Sequence, residues 1–388
     1  MYRSQIESRL ERATDALRRL ATNSEKSISE VEDAREAAKD MEHEIAPAKA
    51  LFDLVSAKRG GVDVTKSLNG YDEEAVIAFR KKDEVEEVID RFRPVHFPAS
   101  FPEVFLRDRP GFDCLLGNPP WEKVKVDRRG WWGQHLPGIR SLSVGAMNQA
   151  IDEFEAKRSD LAQQYATAVE ENKSYSSILK QGVFDLGGGD TDLYQIFAWR
   201  FWHLARSAGF IGVVLPRSAL QGKGSAPWRQ AIIQDGIFSD VTVLVNNAAW
   251  VFDDVHHSYS VATCSIEKVS PNDGFVSLSG PHYNFESYNL RKQVIIPLQE
   301  FKSWSNTAAF PNIPSDEVLT VFKKLRLHPR IDEFSKNIIT IPYHTIPYQN
   351  PNYIIPRPVA ELHPTQDKHR FILSESSTPL WTNRGSQI

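Results

Sequence analysis

The run Phe112-Asp113-Cys114-Leu115-Leu116-Gly117, stopped by Asn118-Pro119-Pro120, constrains this chain more than any other feature. A short, nearly continuous apolar stretch reads as a central strand buried on both faces, as in a parallel sheet covered by helices. The two prolines have no N–H to give a ladder, so the strand ends at Gly117. A second apolar run, Phe210-Ile211-Gly212-Val213-Val214-Leu215 before Pro216, reads as another buried strand. Between them, Leu193, Ile196, Phe197, Phe201 and Leu204 predict a helix from Thr191 to about Arg206, closed by Gly209. A helix over 226–236, a strand over Val241 to Val245 and another from Tyr259 to Lys268 follow. This order is the wiring of an open α/β sheet with an antiparallel end.

The flanks read differently. Residues 1–45 are rich in Glu, Arg, Lys and Ala, and Ile6, Leu10, Leu17, Leu20, Ile28 and Val31 stand near helical spacing. That predicts a helical hairpin packed on the body. A loop over 59–70 and one charged helix from about Asp72 to Arg91 follow. The Pro-rich stretch from Pro94 to Phe105 reads as extended or as an edge strand. Residues 148–180 read as a helical excursion. Beyond about residue 275 order weakens, and Pro-rich stretches such as 341–358 suggest irregular structure. The domains expected are a helical region over 1–92, a catalytic half over 93–270 and an irregular extension over 271–388.

Composition narrows the setting. The 388 residues carry 46 Lys plus Arg against 50 Asp plus Glu, so no global basic surface announces a nucleic-acid partner, although a local groove can still exist. Cys114 and Cys264 are the only cysteines, which argues against a disulfide framework and for a reducing cytoplasm. No stretch approaches the ~18 apolar residues of a membrane span.

Asn118-Pro119-Pro120-Trp121 ends its strand where ligands of open α/β sheets bind, outside the carboxyl ends of the strands. The Asn118 side-chain oxygen and the Pro119 backbone oxygen could converge as two acceptors, held by a stiff double proline. Such a pair suits the exocyclic amine of adenine. Accepting both hydrogens localises the nitrogen lone pair, which is otherwise delocalised into the ring. Trp121 offers a flat face to a base flipped out of a duplex. The plainer alternative is a strand-ending turn with Trp121 as packing.

The surrounding residues bear a likeness. Phe97-Pro98, Phe101-Pro102-Glu103-Val104-Phe105 and Phe112-Asp113 leading into Gly117-Asn118-Pro119-Pro120-Trp121-Glu122 resemble the run before the catalytic motif of restriction-modification adenine methyltransferases. The fused type II enzymes and phage-exclusion methylases belong to that group. Asp192-Leu193-Tyr194-Gln195-Ile196-Phe197 resembles the family's next helix, and Gly209 to Pro216 its next strand, with a Pro-Arg-Ser ending. Phe252-Asp253-Asp254-Val255 resembles the turn whose aromatic packs on the flipped adenine. Leu362-His363-Pro364-Thr365 and Pro379-Leu380-Trp381 resemble the approach to a target-recognition region. Trp121 departs from the commoner Tyr or Phe.

The resemblance implies a partial methyltransferase (Rossmann-like) sheet and methyl transfer from S-adenosylmethionine to adenine in DNA, in restriction-modification or phage defence, without a metal. Asn118, Pro119, Pro120 and Trp121 would be catalytic, and Phe252 would contact the base. Pro120 and Phe197 would touch the cofactor, and Lys123, Lys125, Arg128 and Arg129 the DNA backbone. Trp131 and Trp132 interleave with that basic cluster. His256-His257 reads as a surface or DNA-facing pair. Related Asn-Pro-Pro enzymes methylate a glutamine amide or an RNA guanine instead.

One expected element is missing. The family holds its cofactor on a Gly-rich loop between a strand and a helix, upstream of the catalytic motif. Gly60-Gly61 has no strand before it, Gly70 and Gly111 are isolated, Gly187-Gly188-Gly189 reads as a hinge, and Gly222-Lys223-Gly224-Ser225 lacks phosphate-loop spacing. The chain also stops where the family's recognition domain would begin. A split or truncated product is therefore expected, with an upstream chain supplying the cofactor-binding half. The alternative is a non-catalytic remnant or subunit that binds DNA or a partner.

Overall fold

The computed structural model describes residues 3–22, 27–65, 72–180, 184–187, 191–253, 255–257, 259–271 and 274–328. Residues Met1–Leu319 form one compact unit and Thr320–Ile388 a second. The segments 341–358, Leu362 to Thr365 and Pro379 to Trp381 singled out above lie outside the described residues, as do Gly70 and Gly188-Gly189. No described helix is long and apolar enough to cross a membrane.

The first two helices are α1 (Arg3–Thr22) and α2 (Ile28–Arg59), packed along each other. Ser27 caps α2 in a reciprocal box, its hydroxyl accepting from the Glu30 N–H while the Glu30 carboxylate accepts from the Ser27 N–H. The charged segment expected as one helix is two, α3 (Glu73–Arg80) and α4 (Asp83–Phe92), broken at Lys81-Lys82. Leu51, Leu54, Ala57, Val76, Val85 and Ile89 make a core for α2 to α4, with Ile6 of α1 against it. Leu10 is also buried, whereas the side chain of Leu20 lies outside the described residues. Ile6 therefore serves a helical subdomain with a core of its own. Buried Asp53 fastens that subdomain, accepting from Arg80 Nε at 2.6 Å and bonding His96 Nε2 at 2.7 Å.

The Pro-rich stretch is neither extended nor an edge strand. It forms two short turns, α5 (Phe97–Ser100) and α6 (Pro102–Phe105). Pro98 and Pro102 stand in their first turns, where a missing N–H costs nothing and the fixed φ suits a helix. Phe97, Phe101 and Phe105 bring their rings within 5.3 to 6.1 Å of Phe112. Their spacing of four residues had that helical meaning in it.

The sheet begins at β1 (Phe112–Gly117). After it come α7 (Arg128–His135), α8 (Val144–Lys157) and α9 (Ser159–Lys180), an excursion with its own core of Trp132, Ile139, Met147, Ile151 and Leu161. Next are α10 (Leu193–Leu204), β2 (Ala205–Pro216), α11 (Ser218–Gln221), α12 (Ala226–Asp235), β3 (Ile237–Val245) and β4 (Ser260–Glu267). Residues 275 to 297, expected to be irregular, extend the same sheet through β5 (Phe275–His282), α13 (Phe285–Asn289) and β6 (Val294–Pro297). Val294 and Ile296 alternate with exposed neighbours along β6, and Val276 to Gly280 of β5 are buried in a continuous run, as in an inner strand. The last helices are α14 (Leu298–Trp304) and α15 (Asp316–Arg326).

Strand order is β1-β2-β4-β3-β5-β6. β1 and β2 are parallel, β4 is antiparallel to both β2 and β3, and β3 is parallel to β5. The carboxyl ends of β1, β2 and β3 therefore share one edge of a mixed α/β sheet. Gly209, expected to close a helix, sits inside β2, beside the register shift opposite Phe112 and Cys114.

β1 departs from the expectation of a central strand buried on both faces. Among the described strands it pairs only with β2 and stands at the sheet edge. Leu115 and Gly117 share a face with buried Ile211 and Val213, toward α10. Cys114 and Leu116 share the other with Phe210, and there Leu116 is 80% exposed. Apolar composition alone does not say which strand lies at an edge.

Candidate active site

Asn118 follows β1 directly, exposed and outside any helix, with Pro119 buried beneath it and Pro120 exposed. Gly117 is required by close approach, since a Cβ there would lie 2.7 Å from the Phe201 ring of α10. One turn earlier on α10, Phe197 is partly exposed, its ring 6.4 Å from that of Phe201.

The chain leaving the loop is stapled to the start of α10. Leu193 N–H donates to Glu122 O at 2.9 Å, and Val124 N–H donates to Thr191 O at 2.9 Å, with a bridge between Lys123 and Asp192. The Gln195 side chain accepts from the Asp192 N–H at 3.2 Å. Both ends of residues 118–121 are thus fixed, by the sheet and by a helix start.

Phe252 comes from the loop between β3 and β4. Its ring meets that of Trp121 edge-to-face, centroids 6.5 Å apart and planes at 85°. The indole Nε1 of Trp121 is enclosed without a hydrogen-bond acceptor among the described residues.

Asn246, which sequence reasoning missed, holds the Phe252 loop. Fully buried at the end of β3, its Nδ2 donates to Phe252 O at 2.9 Å and Val255 O at 2.7 Å. Its Oδ1 accepts from the N–H groups of Val251 at 3.1 Å and Phe252 at 3.0 Å. The available signal was an Asn directly after a β-branched strand, a residue type that bonds nearby backbone in turns.

The basic cluster does not act together. Arg128 opens α7 and donates to Asp152 at 2.6 Å and Glu155 at 2.9 Å. These two hydrogen bonds raise its pKa and occupy it within the excursion. Lys123, Lys125 and Arg129 are exposed. Trp132 is core, with Trp131 packed beside it. His256 and His257 are exposed and stacked, ring centroids 4.2 Å apart.

The described residues do not fit a cradle for S-adenosylmethionine. β1 is the first strand, so no strand–glycine turn–helix precedes Asn118. Gly60 caps the end of α2, and Gly111 is pinned beside Arg206 N, where a Cβ would sit at 2.7 Å. Gly187 N–H donates to Gly224 O at 3.1 Å, so these two glycines brace each other.

No protein-family model matches the chain, and no curated protein matches it. Solved structures similar to it include proteins of restriction-modification systems. One, from work on complex assembly and conformational transition of the type I R-M system, is 12% identical over 56% of this chain and 43% of that one, with a TM-score of 0.29. A chain described as a modification subunit of a type I restriction enzyme from Vibrio vulnificus is 13% identical over 53% and 39%, with a TM-score of 0.30. A DrdV–DNA complex is 12% identical over 61% and 20%, with a TM-score of 0.29. The chain spans less than half the length of each.

Proposed function

We propose that this chain is the target-base half of an adenine-specific DNA methyltransferase acting in restriction-modification or phage defence in the cytoplasm. The observation that carries the reading is exposed Asn118 at the carboxyl end of β1, one short loop from the Trp121–Phe252 pair. In this reading the Asn118 side-chain oxygen and the Pro119 carbonyl accept the two amine hydrogens of a flipped adenine, and Trp121 and Phe252 hold its ring. Pro120 stiffens the loop. The S-adenosylmethionine half, which Pro120 and Phe197 would face, comes from chain outside the described sheet.

The edge of β1, unpaired among the described strands, favours a second reading, a subunit that binds DNA or a partner and holds no cofactor by itself. Titration calorimetry separates the two from a complete enzyme: micromolar binding of S-adenosylmethionine by this chain would contradict both.

The base-holding role is tested with duplex DNA carrying 2-aminopurine directly beside the target adenine, where it reports the adenine leaving the stack and leaves the 6-amino group in place. Its fluorescence should rise on binding and fail to rise with Asn118→Ala or Trp121→Ala. A rise indifferent to both substitutions would overturn the assignment.

A further inference from the structure

Directly beyond the loop of residues 118–121, Val124, Lys125 and Val126 form one wall of an open groove of about 580 Å³. The opposite wall is a single face of α9, made by Tyr165, Val169, Asn172, Lys173, Ser176, Ser177 and Lys180. Positions 165, 169, 172, 176 and 180 recur every three or four residues, so they form a stripe along four turns. At 1.5 Å per residue that stripe is about 22 Å long.

The lining is chemically one-sided. It contributes three ammonium groups, an amide, two hydroxyls and a phenol, and none of the lining residues carries a carboxylate. Glu170 reaches Lys173 at 3.4 Å, but both side chains are largely exposed and an ion pair of that kind holds a lysine weakly. Tyr175, on the same helix, stacks on Phe92 of α4 at 5.9 Å. The polar face is thereby held in place rather than left as a loose arm.

We infer that this groove binds the phosphodiester backbone of the DNA whose base enters at Asn118, with Lys125, Lys173 and Lys180 as the phosphate contacts. Lys125 stands four residues beyond Trp121, so the groove begins where a strand leaving the site would pass. Asn172, Ser176 and Ser177 supply neutral donors to phosphate oxygens between the lysines. The groove replaces the contiguous run of Lys123 to Arg129 as the backbone contact, since Arg128 is paired with Asp152 and Glu155. This inference rests on the DNA reading above. It adds that binding here is independent of sequence and of the target base.

The test measures binding of the full chain to fluorescent duplexes, with and without adenine, across a range of salt. The triple variant Lys125→Gln, Lys173→Gln, Lys180→Gln should flatten the slope of log affinity against log salt by about 2 to 3 on both duplexes, at ~0.9 per phosphate contact. The arginine triple variant should keep the parent slope, which separates lost charge from lost folding. An unchanged slope in the glutamine variant would overturn the groove while leaving the base-holding reading, tested by 2-aminopurine, intact. Absence of DNA binding by the parent chain would overturn the groove outright. Tighter binding to duplex RNA of the same sequence, with the same sensitivity, would overturn its assignment to DNA.

Discussion

The Trp121 and Phe252 rings meet at right angles, centroids 6.5 Å apart, although 130 residues separate them in the chain. A perpendicular pair at that distance leaves no slot for a base between the rings, so under the proposed function a flipped base would sit beside Trp121 or displace the Phe252 ring. Edge-to-face pairs contribute about 0.5–1.5 kcal/mol beyond burial. A double-mutant cycle of Trp121→Ala and Phe252→Ala, read by denaturant unfolding, should give a coupling of about that size. Additivity within error would mean that the two rings are neighbours without a shared interaction.

Asn246 should matter more to the Phe252 loop than any residue in that loop. Asn246→Ala removes four hydrogen bonds and leaves buried backbone groups unpaired, for an expected loss of about 3 kcal/mol. Amide exchange at Val251 and Phe252 should accelerate most. Asn246→Asp keeps the acceptor but turns an oxygen toward two carbonyls, and should rescue little. Unchanged exchange at those amides in the Ala variant would contradict this role.

Burial opposes ionisation of Asp53, but the hydrogen bonds from His96 and Arg80 outweigh it and hold its carboxyl below the ordinary range. With the native pKa below an unfolded value of ~3.9, its contribution is present above that value and lost as pH falls through the native pKa. Asp53→Asn should therefore lower stability at neutral pH, by about 3 kcal/mol as for a broken buried pair, and flatten the acid limb of the stability–pH curve. A variant as stable as the parent at pH 7 would show that the Asp53 network does not fasten the helical subdomain.

The two cysteines should differ sharply. Cys264 is buried in β4, and burial pushes its thiol up to about 12, whereas Cys114 is exposed on the open face of β1. Alkylation of the native chain near pH 8 should modify one thiol, and Cys114→Ser should abolish the reaction. A chain that covered the Leu116 face would protect Cys114, so the same reagent reports its arrival. Reaction of both thiols in the native state would contradict the placement of β4.

The composite site was partly legible in the chain. A double proline after an apolar run places Asn118 at a strand end from local chemistry alone, because proline ends a ladder wherever it occurs. Phe252 was legible only through a resemblance, and Asn246, which positions it, through neither route. Its function depends on carbonyls up to nine residues away that a loop must first curl to present. Arg128 shows the converse, since a basic run looks uniform until two acids from α8 claim one member.

Periodicity and turn chemistry, which act over a few residues, determined that β1, α10, β2, α12, β3 and β4 exist and in what order. They also set Asn118 on the carboxyl side of the sheet. Tertiary structure alone decided that β1 lies at an edge with Leu116 exposed, that residues 275 to 297 continue the sheet, and that Lys125 faces Lys173 and Lys180 across a groove. Each of these depends on which surfaces meet, and an apolar or charged residue carries the same local signal whether or not a partner covers it.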